Sequence, residues 1–307
     1  MSYLIKMGKV MRQSGKGNPF LIAMIVIMLF LAIGCGKQEE VETAPPPTID
    51  FIKYYDVALE TAREKSMPVL LDFYTDWCGW CKRLDSITFR DSAVAALSEK
   101  IIFAKINGGQ DTVAREKHSI QGYPSLVLLD SAGQEIDRIG GFLPPDEFVI
   151  TINNYLQGIG TLDYYLAIAD TGSTPEIDFA LAQKYGDRGL FDKSEEYFQK
   201  VIKTNKNNEG SFTSASMMAL ADISLRLDRY DEAIARYNMV KKKFPDSTTV
   251  NDADIYIAIC HREKGDTTAA IKAFEDFLIN YPNSPDSSYA QKQIDRLKNP
   301  PPPEEEE

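Results

Sequence analysis

Two cysteines, Cys78 and Cys81, stand three positions apart with Gly79 and Trp80 between them, in a chain of 307 residues that has only four cysteines. Such a pair can open and close a disulfide by thiol–disulfide exchange, in which a thiolate attacks a sulfur of another disulfide. The chemistry requires surroundings that keep one sulfur ionised. Just before the pair, Pro68 to Tyr74 (PVLLDFY) is a short apolar run bounded by proline, the pattern of a buried strand. Just after it, Arg83 to Lys100 returns to helical periodicity, with Leu84, Ile87, Val94 and Leu97 apolar. The cysteines therefore fall on a strand-to-helix turn. A helix N-terminus presents unpaired N–H groups and the positive end of the helix dipole, and both favour the thiolate. Cys81, one turn on, faces the same side and can close a ring with Cys78. Three alternatives stand beside this reading. A zinc site needs a full tetrahedral ligand set, but there is no second Cys-x-x-Cys, and the two histidines, His118 and His261, look like solvated surface groups. A purely structural crosslink over so short a loop would constrain the unfolded chain little. The third alternative is a domain that keeps the cysteines without the activity.

The flanking segments supply a frame for that turn. Ile52 to Lys65 has helical spacing, Ser125–Leu129 and Glu135–Ile139 read as a hairpin turning at Asp130–Gly133, and Pro144–Leu156 reads as a helix. Asp72 to Lys82 (DFYTDWCGWCK) resembles the active-site strand and helix of thioredoxins, and the likeness runs from about Ile52 to Gln157. The resemblance implies an α/β thioredoxin fold, a central mixed sheet flanked by helices, over residues 50–158. It also implies roles. Cys78 would be the exposed attacking thiol and Cys81 the deeper resolving one. Asp72 would be a buried acid exchanging a proton with Cys81, and Lys105, on the third strand, its partner. Trp77, Gly79 and Trp80 would border the substrate, and Gly122-Tyr123-Pro124-Ser125 would form a loop whose cis proline exposes the Tyr123 backbone to an extended client chain. Thioredoxins carry proline where this chain has Trp80, and strong disulfide donors carry a histidine between the cysteines. The departure favours reduction or isomerisation of client disulfides over oxidation. No cofactor and no metal is called for.

Beyond Gly160 the strand signals stop. Residues 159–175 read as a linking helix, and 176–298 as an all-α array in which Phe198, Tyr237 and Phe274 recur at intervals of 39 and 37 residues. The pattern resembles tetratricopeptide repeats, with a basic period of about 34 residues. It implies three helix pairs and a closing helix near Asp286–Leu297, with a concave surface for protein partners. A passive spacer is the plainer alternative. Cys260 sits in an apolar helix as a core thiol, and 299–307 is an extended Pro/Glu tail. The segment 49–158 is expected to reduce a small disulfide by itself.

The N-terminus reads as an address. Residues 1–34 hold four basic residues and no acid, and the fifteen residues Phe20–Gly34 are uninterruptedly apolar. That is shorter than the roughly 20 residues of a membrane-spanning helix and suits a signal peptide, an uncleaved anchor helix being the alternative. Leu31-Ala32-Ile33-Gly34-Cys35 resembles the lipobox of bacterial lipoproteins, which implies diacylglycerol on Cys35 and a flexible tether over 35–49. Gly36 is not the aspartate that retains such proteins at the inner membrane, so an extracytoplasmic protein on the outer membrane is favoured. Loss of residues 1–34 moves the net charge from −11 to −15. No basic stripe offers itself to nucleic acid. The expected partners are client proteins with disulfides, an unidentified electron donor, proteins bound by the repeats, and the membrane through Cys35. A scaffold of an envelope complex, with a non-catalytic thioredoxin-like module, is the other function considered. Metabolic labelling with a fatty acid should mark the wild-type protein and leave Cys35→Ala unlabelled; equal labelling of both would rule out acylation there.

Overall fold

A computed structural model describes residues 48–204, 211–245 and 249–300. The leader, Cys35, nearly all of the tether and the end of the tail lie outside the described residues. Four strands form one sheet in the order β2-β1-β3-β4. β1 (Val69–Tyr74) runs parallel to β2 (Ile102–Asn107) and antiparallel to β3 (Ser125–Leu129), which pairs antiparallel with β4 (Glu135–Gly140). β1 is apolar along its length because helices cover both faces. On one face Leu70 packs with Leu84 of α2 (Gly79–Ser86), Val94 of α3 (Ser92–Ala96) and Phe148 of α5 (Pro145–Tyr155). On the other, Leu71 and Phe73 meet Ala58 of α1 (Tyr55–Lys65) and Ala114 of α4 (Thr112–Lys117). Side chains alternate across a strand, so Asp72 lies on the Leu70 face, under α2.

The structure revises three expectations here. Helix α1 begins at Tyr55, because Ile52 instead bridges to the free edge of β2, donating its N–H to Phe103 O at 3.0 Å and accepting from Lys105 N at 2.8 Å. Lys105 lies on the second described strand rather than the third. The periodic stretch 83–100 is not one helix: α2 stops at Ser86, a 3-10 turn spans Thr88–Arg90, and α3 starts afresh. The Thr88 hydroxyl donates to Leu143 O at 2.5 Å, while the Asp91 carboxylate caps α3 by accepting from Ala93 N and Val94 N. Leu84, Val94 and Leu97 are buried all the same, and only Ile87, at the break, is left 41% exposed.

The remaining helices are α6 (Leu162–Thr171), α7 (Pro175–Asp187), α8 (Phe191–Thr204), α9 (Ser211–Arg226), α10 (Tyr230–Lys243), α11 (Thr249–Glu263), α12 (Thr267–Asn280) and α13 (Ser287–Lys298). The repeat holds position by position. Ala182, Ala221 and Ala258 have no exposure in the first helix of successive pairs, nor do Ser194, Ala233 and Ala270 in the second. Small residues at these sites let the two backbones approach, and the Ser194 hydroxyl reaches Ala182 O at 2.7 Å. The turn of each pair has positive φ, at Gly189 (70°), Asp228 (57°) and Gly265 (82°), the left-handed conformation that ends helices and favours glycine.

The stack is not hung loosely on the sheet. The free edge of β4 is covered by α7, and Asp137 of β4 has no exposure at all. Its carboxylate pairs with Lys184 Nζ of α7 at 3.0 Å and with Nη2 of Arg188, the residue that ends α7, at 3.1 Å, and accepts from Leu162 N at 2.7 Å. Arg188 also reaches Glu135 at 2.9 Å, and Arg138 returns the contact by donating to Asp187 O at 3.2 Å. Removing one member of a buried pair strands the others without water. A fragment ending at 158 would leave Asp137 without both cations, which argues against the expected independence of 49–158. Asp137→Ala should cost about 3–5 kcal/mol in denaturant unfolding, whereas breaking the exposed pair Lys272–Asp276 should leave the unfolding midpoint essentially where it was.

Candidate active site

Cys78 is the N-cap of α2, with extended backbone at φ −73° and ψ 106°. The chain therefore leaves β1, turns through a Cys78 N–H to Thr75 O bond of 3.1 Å, and starts the helix with its free N–H groups beside the sulfur. Cys78 and Cys81 are joined in a disulfide, and the Cys81 N–H points at Cys78 Sγ from 3.0 Å. A donor and a helix N-terminus placed in this way are the surroundings that would favour a thiolate at Cys78 over one at Cys81. In the closed state the two cysteines are almost equally covered, 5% exposed for Cys78 and 2% for Cys81. Cys78 does not stand out as the exposed thiol that was expected.

Beneath the helix lies the acid. Asp72 is 1% exposed, and neither carboxylate oxygen accepts a hydrogen bond among the described residues. Burial, only partly offset by Lys105, pushes its pKa from the ordinary 3.8 up to about 7. The strand register places Lys105 directly opposite Asp72, with Nζ 3.5 Å from Oδ2. Lys105 is shared, however. It bonds more closely to Asp85 of α2 and lies 4.8 Å from the Tyr74 ring centre. Asp85 was absent from the sequence reading, although its position four residues after Cys81 sets it on the same helix face.

The rim is aromatic. Trp77 is 77% and Trp80 56% exposed, and the space over Gly79 is open. The Tyr123–Pro124 bond is cis, and the Tyr123 ring stands edge-on to Trp77 at 5.9 Å. A Cβ on Gly108 would meet the Tyr123 hydroxyl at 2.5 Å, so glycine is what makes room for that ring. On the other flank Arg83 lies over Trp80 at 5.3 Å and over Phe142 at 5.1 Å. Trp80, Tyr123, Pro124, Gly141 and Phe142 wall a groove of about 290 Å³. Phe142 and Arg83 were not foreseen. The predicted site residues of this domain thus come together in two clusters, a buried acid–lysine pair below the disulfide and an aromatic rim around it.

The histidines need correction. His118 is not solvated: it is 8% exposed, hydrogen-bonds the Tyr55 hydroxyl at 2.9 Å, and burial, aided by Arg138, lowers its pKa to about 4. His261 is half-buried as well. Cys260 is fully buried, which raises its pKa to about 12.

A mixed four-stranded sheet with a Cys-x-x-Cys disulfide opening the helix after its first strand is a thioredoxin fold, here joined to a tetratricopeptide-like helical array. Residues 55–156 match the family model described as a thioredoxin-like domain, and residues 213–291 match that of an outer membrane lipoprotein. Among curated proteins, the thiol:disulfide interchange protein DsbD of Ralstonia nicotianae is 28% identical over 126 residues, 39% of this chain and 21% of the relative. The protein disulfide-isomerase of Triticum aestivum is 30% identical over 102 residues, 33% of this chain and 19% of the relative. The chain thus spans about a fifth of the length of these relatives. Among solved structures, a putative disulphide-isomerase from Bacteroides thetaiotaomicron is 26% identical, covers 37% of this chain and 97% of its own, and has a TM-score of 0.33.

Ionised Asp72 is a burden on the fold. Below the unfolded-state pKa of about 3.9 both states carry its proton. From there to about 7 the folded state retains a proton that the unfolded state has lost, so stability falls as pH rises, and it levels off above 7. Asp72→Asn should therefore stabilise the oxidised protein by a few kcal/mol, on the order of 2–4, at pH 8. The gain should vanish near pH 4. A gain independent of pH in denaturant titrations would contradict the assignment.

Proposed function

We propose that this chain is a membrane-anchored, extracytoplasmic thiol–disulfide oxidoreductase that reduces or isomerises disulfides of client proteins. The observation carrying the reading is the Cys78–Cys81 disulfide at the start of α2, with the Cys81 N–H set 3.0 Å from Cys78 Sγ. In the reduced enzyme the Cys78 thiolate attacks one sulfur of the client disulfide. That S–S bond breaks, a mixed disulfide forms, and the departing client sulfur takes up a proton. Cys81 then gives its proton to the Asp72 carboxylate and attacks Cys78 Sγ. The mixed disulfide breaks, the second client sulfur leaves as a thiolate and takes up a proton from water, Asp72 releases the proton it accepted, and two electrons have passed from enzyme to client. A carboxyl whose pKa lies near 7 can both accept and return a proton at neutral pH, the condition for acid–base work. Lys105, 3.5 Å away, favours the carboxylate form and keeps burial from raising the proton affinity of Asp72 further. An external dithiol restores the reduced pair.

Nothing between the cysteines stabilises the thiolate beyond the helix terminus, since Trp80 carries no cation. This supports reduction or isomerisation over oxidation. Cys35 as the acylated residue is supported by the lipobox-like sequence, and the outer membrane by the lipoprotein match over residues 213–291. The same match favours a second reading, in which the helical stack is an adaptor in an envelope complex and the disulfide is idle.

The two readings part on trapping. Cys81→Ser should accumulate covalent client complexes that dithiothreitol dissolves, because attack proceeds and resolution does not, and Cys78→Ser should accumulate almost none. Equal trapping by both variants, or by neither, would favour the adaptor.

A further inference from the structure

Two cavities meet at the Tyr123–Pro124 loop. The smaller is the groove beside the disulfide. The larger, about 670 Å³, lies between β4 and helices α7–α9, and Tyr123, Pro124 and Gly141 belong to the walls of both. Its volume falls within the roughly 300–1,000 Å³ of ligand-binding clefts. Phe191, Phe198 and Ile223 give it apolar wall, and Gln121, Asp187 and Asp222 give it polar groups.

Asp187 is the informative residue. Its carboxylate rests against Gly140, where a Cβ would come within 2.4 Å of Oδ1. Burial raises its pKa to about 6. The cations nearest to it, Lys184 and Arg188, are engaged by Asp137. Among the described residues nothing hydrogen-bonds or ion-pairs with its side chain. The Tyr123 backbone N–H and C=O, at the junction of the two cavities, are likewise without partners there. A free carboxylate and an unpaired peptide unit, lining two cavities that share the walls Tyr123, Pro124 and Gly141, match the needs of an extended chain, whose N–H and C=O groups must all find partners once water is displaced.

Resting on the oxidoreductase reading, we propose that the cleft between β4 and α7–α9 holds the polypeptide arm adjoining the client's reactive half-cystine. A client sulfur at Cys78 obliges its flanking residues to leave along the groove, and one exit passes Tyr123–Pro124 into the cleft. The helical stack then takes part in capture at the active site itself. A disulfide without polypeptide arms gains nothing from it.

The test compares two disulfides reduced by the full chain: insulin, which has arms, and 5,5′-dithiobis(2-nitrobenzoate), which has none. Gln183→Trp places an indole on an exposed wall position of the cleft, and Lys272→Trp, on exposed α12, is the control. The ratio of kcat/KM for insulin to that for the small disulfide should fall about tenfold in Gln183→Trp, through KM, and hold in the control. An unchanged ratio, or an equal loss on both substrates, overturns the proposal. Wild-type protein inactive on both overturns the oxidoreductase reading, and the proposal with it. As a second measurement, p-benzoylphenylalanine at position 183 should crosslink insulin trapped on Cys81→Ser; crosslinking instead to a second copy of the chain counts against the proposal.

Discussion

A carboxylate with no water around it must find its counter-charges inside the protein, and Asp137 finds them across the boundary between sheet and helices. Lys184 comes from the last turn of α7 and Arg188 from its C-terminal cap, and the Leu162 N–H brings in the start of α6. Desolvating these groups is expensive and is offset only while all of them stay together. The consequence is geometric. β4 gains cover for an edge that would otherwise invite pairing with another chain. The first helix pair is held at a set distance from the Tyr123–Pro124 loop, and the cleft beside the disulfide has two fixed walls. Were α7 displaced, the later helices, each packed on its predecessor, would move with it.

The active-site end obeys a different balance. There the charged cluster is open-ended: Asp72 and Asp85 share a single lysine, so one negative charge is left over. Burial raises the proton affinity of Asp72 first of all, Lys105 offsets part of that, and the second negative charge on Asp85 adds to it. One fold thus contains two sets of buried carboxylates with opposite outcomes. Asp137, supplied with two cations and a backbone N–H, is a structural fixture. Asp72, short of donors, is left with a proton it can exchange near neutrality.

Much of this was legible in the sequence because it is local. A proline-bounded apolar run predicts β1, two cysteines three positions apart where that run gives way to helical spacing predict a disulfide at a helix start, and recurring aromatics at 198, 237 and 274 predict the stack. What escaped is what depends on contacts distant in sequence. The break after Ser86 needs Leu143 O to receive the Thr88 hydroxyl, 55 residues away. Periodicity reports which face of a helix is apolar; it does not report where the chain leaves the axis. His118 is flanked by charged residues and so resembles a surface group, yet Tyr55, Phe73 and Arg138 close over it. Asp137 and Arg138 are charged residues on opposite faces of β4, the kind of side chain a strand normally turns to water. They become interior only because α7 arrives, and nothing within the strand announces that partner.

Cys260 has a bearing on the economy of sulfur in the molecule. A spare thiol near an exchanging disulfide invites shuffling, in which the wrong pair closes and the catalyst is lost. Here the third cysteine among the described residues is sealed in the α11 core, and burial holds its proton against any ordinary pH. It is electrically and sterically insulated from the pair it might have poisoned. Under the proposed chemistry only Cys78 and Cys81 of the described cysteines exchange, and the count of reactive thiols depends on whether the helical stack is intact.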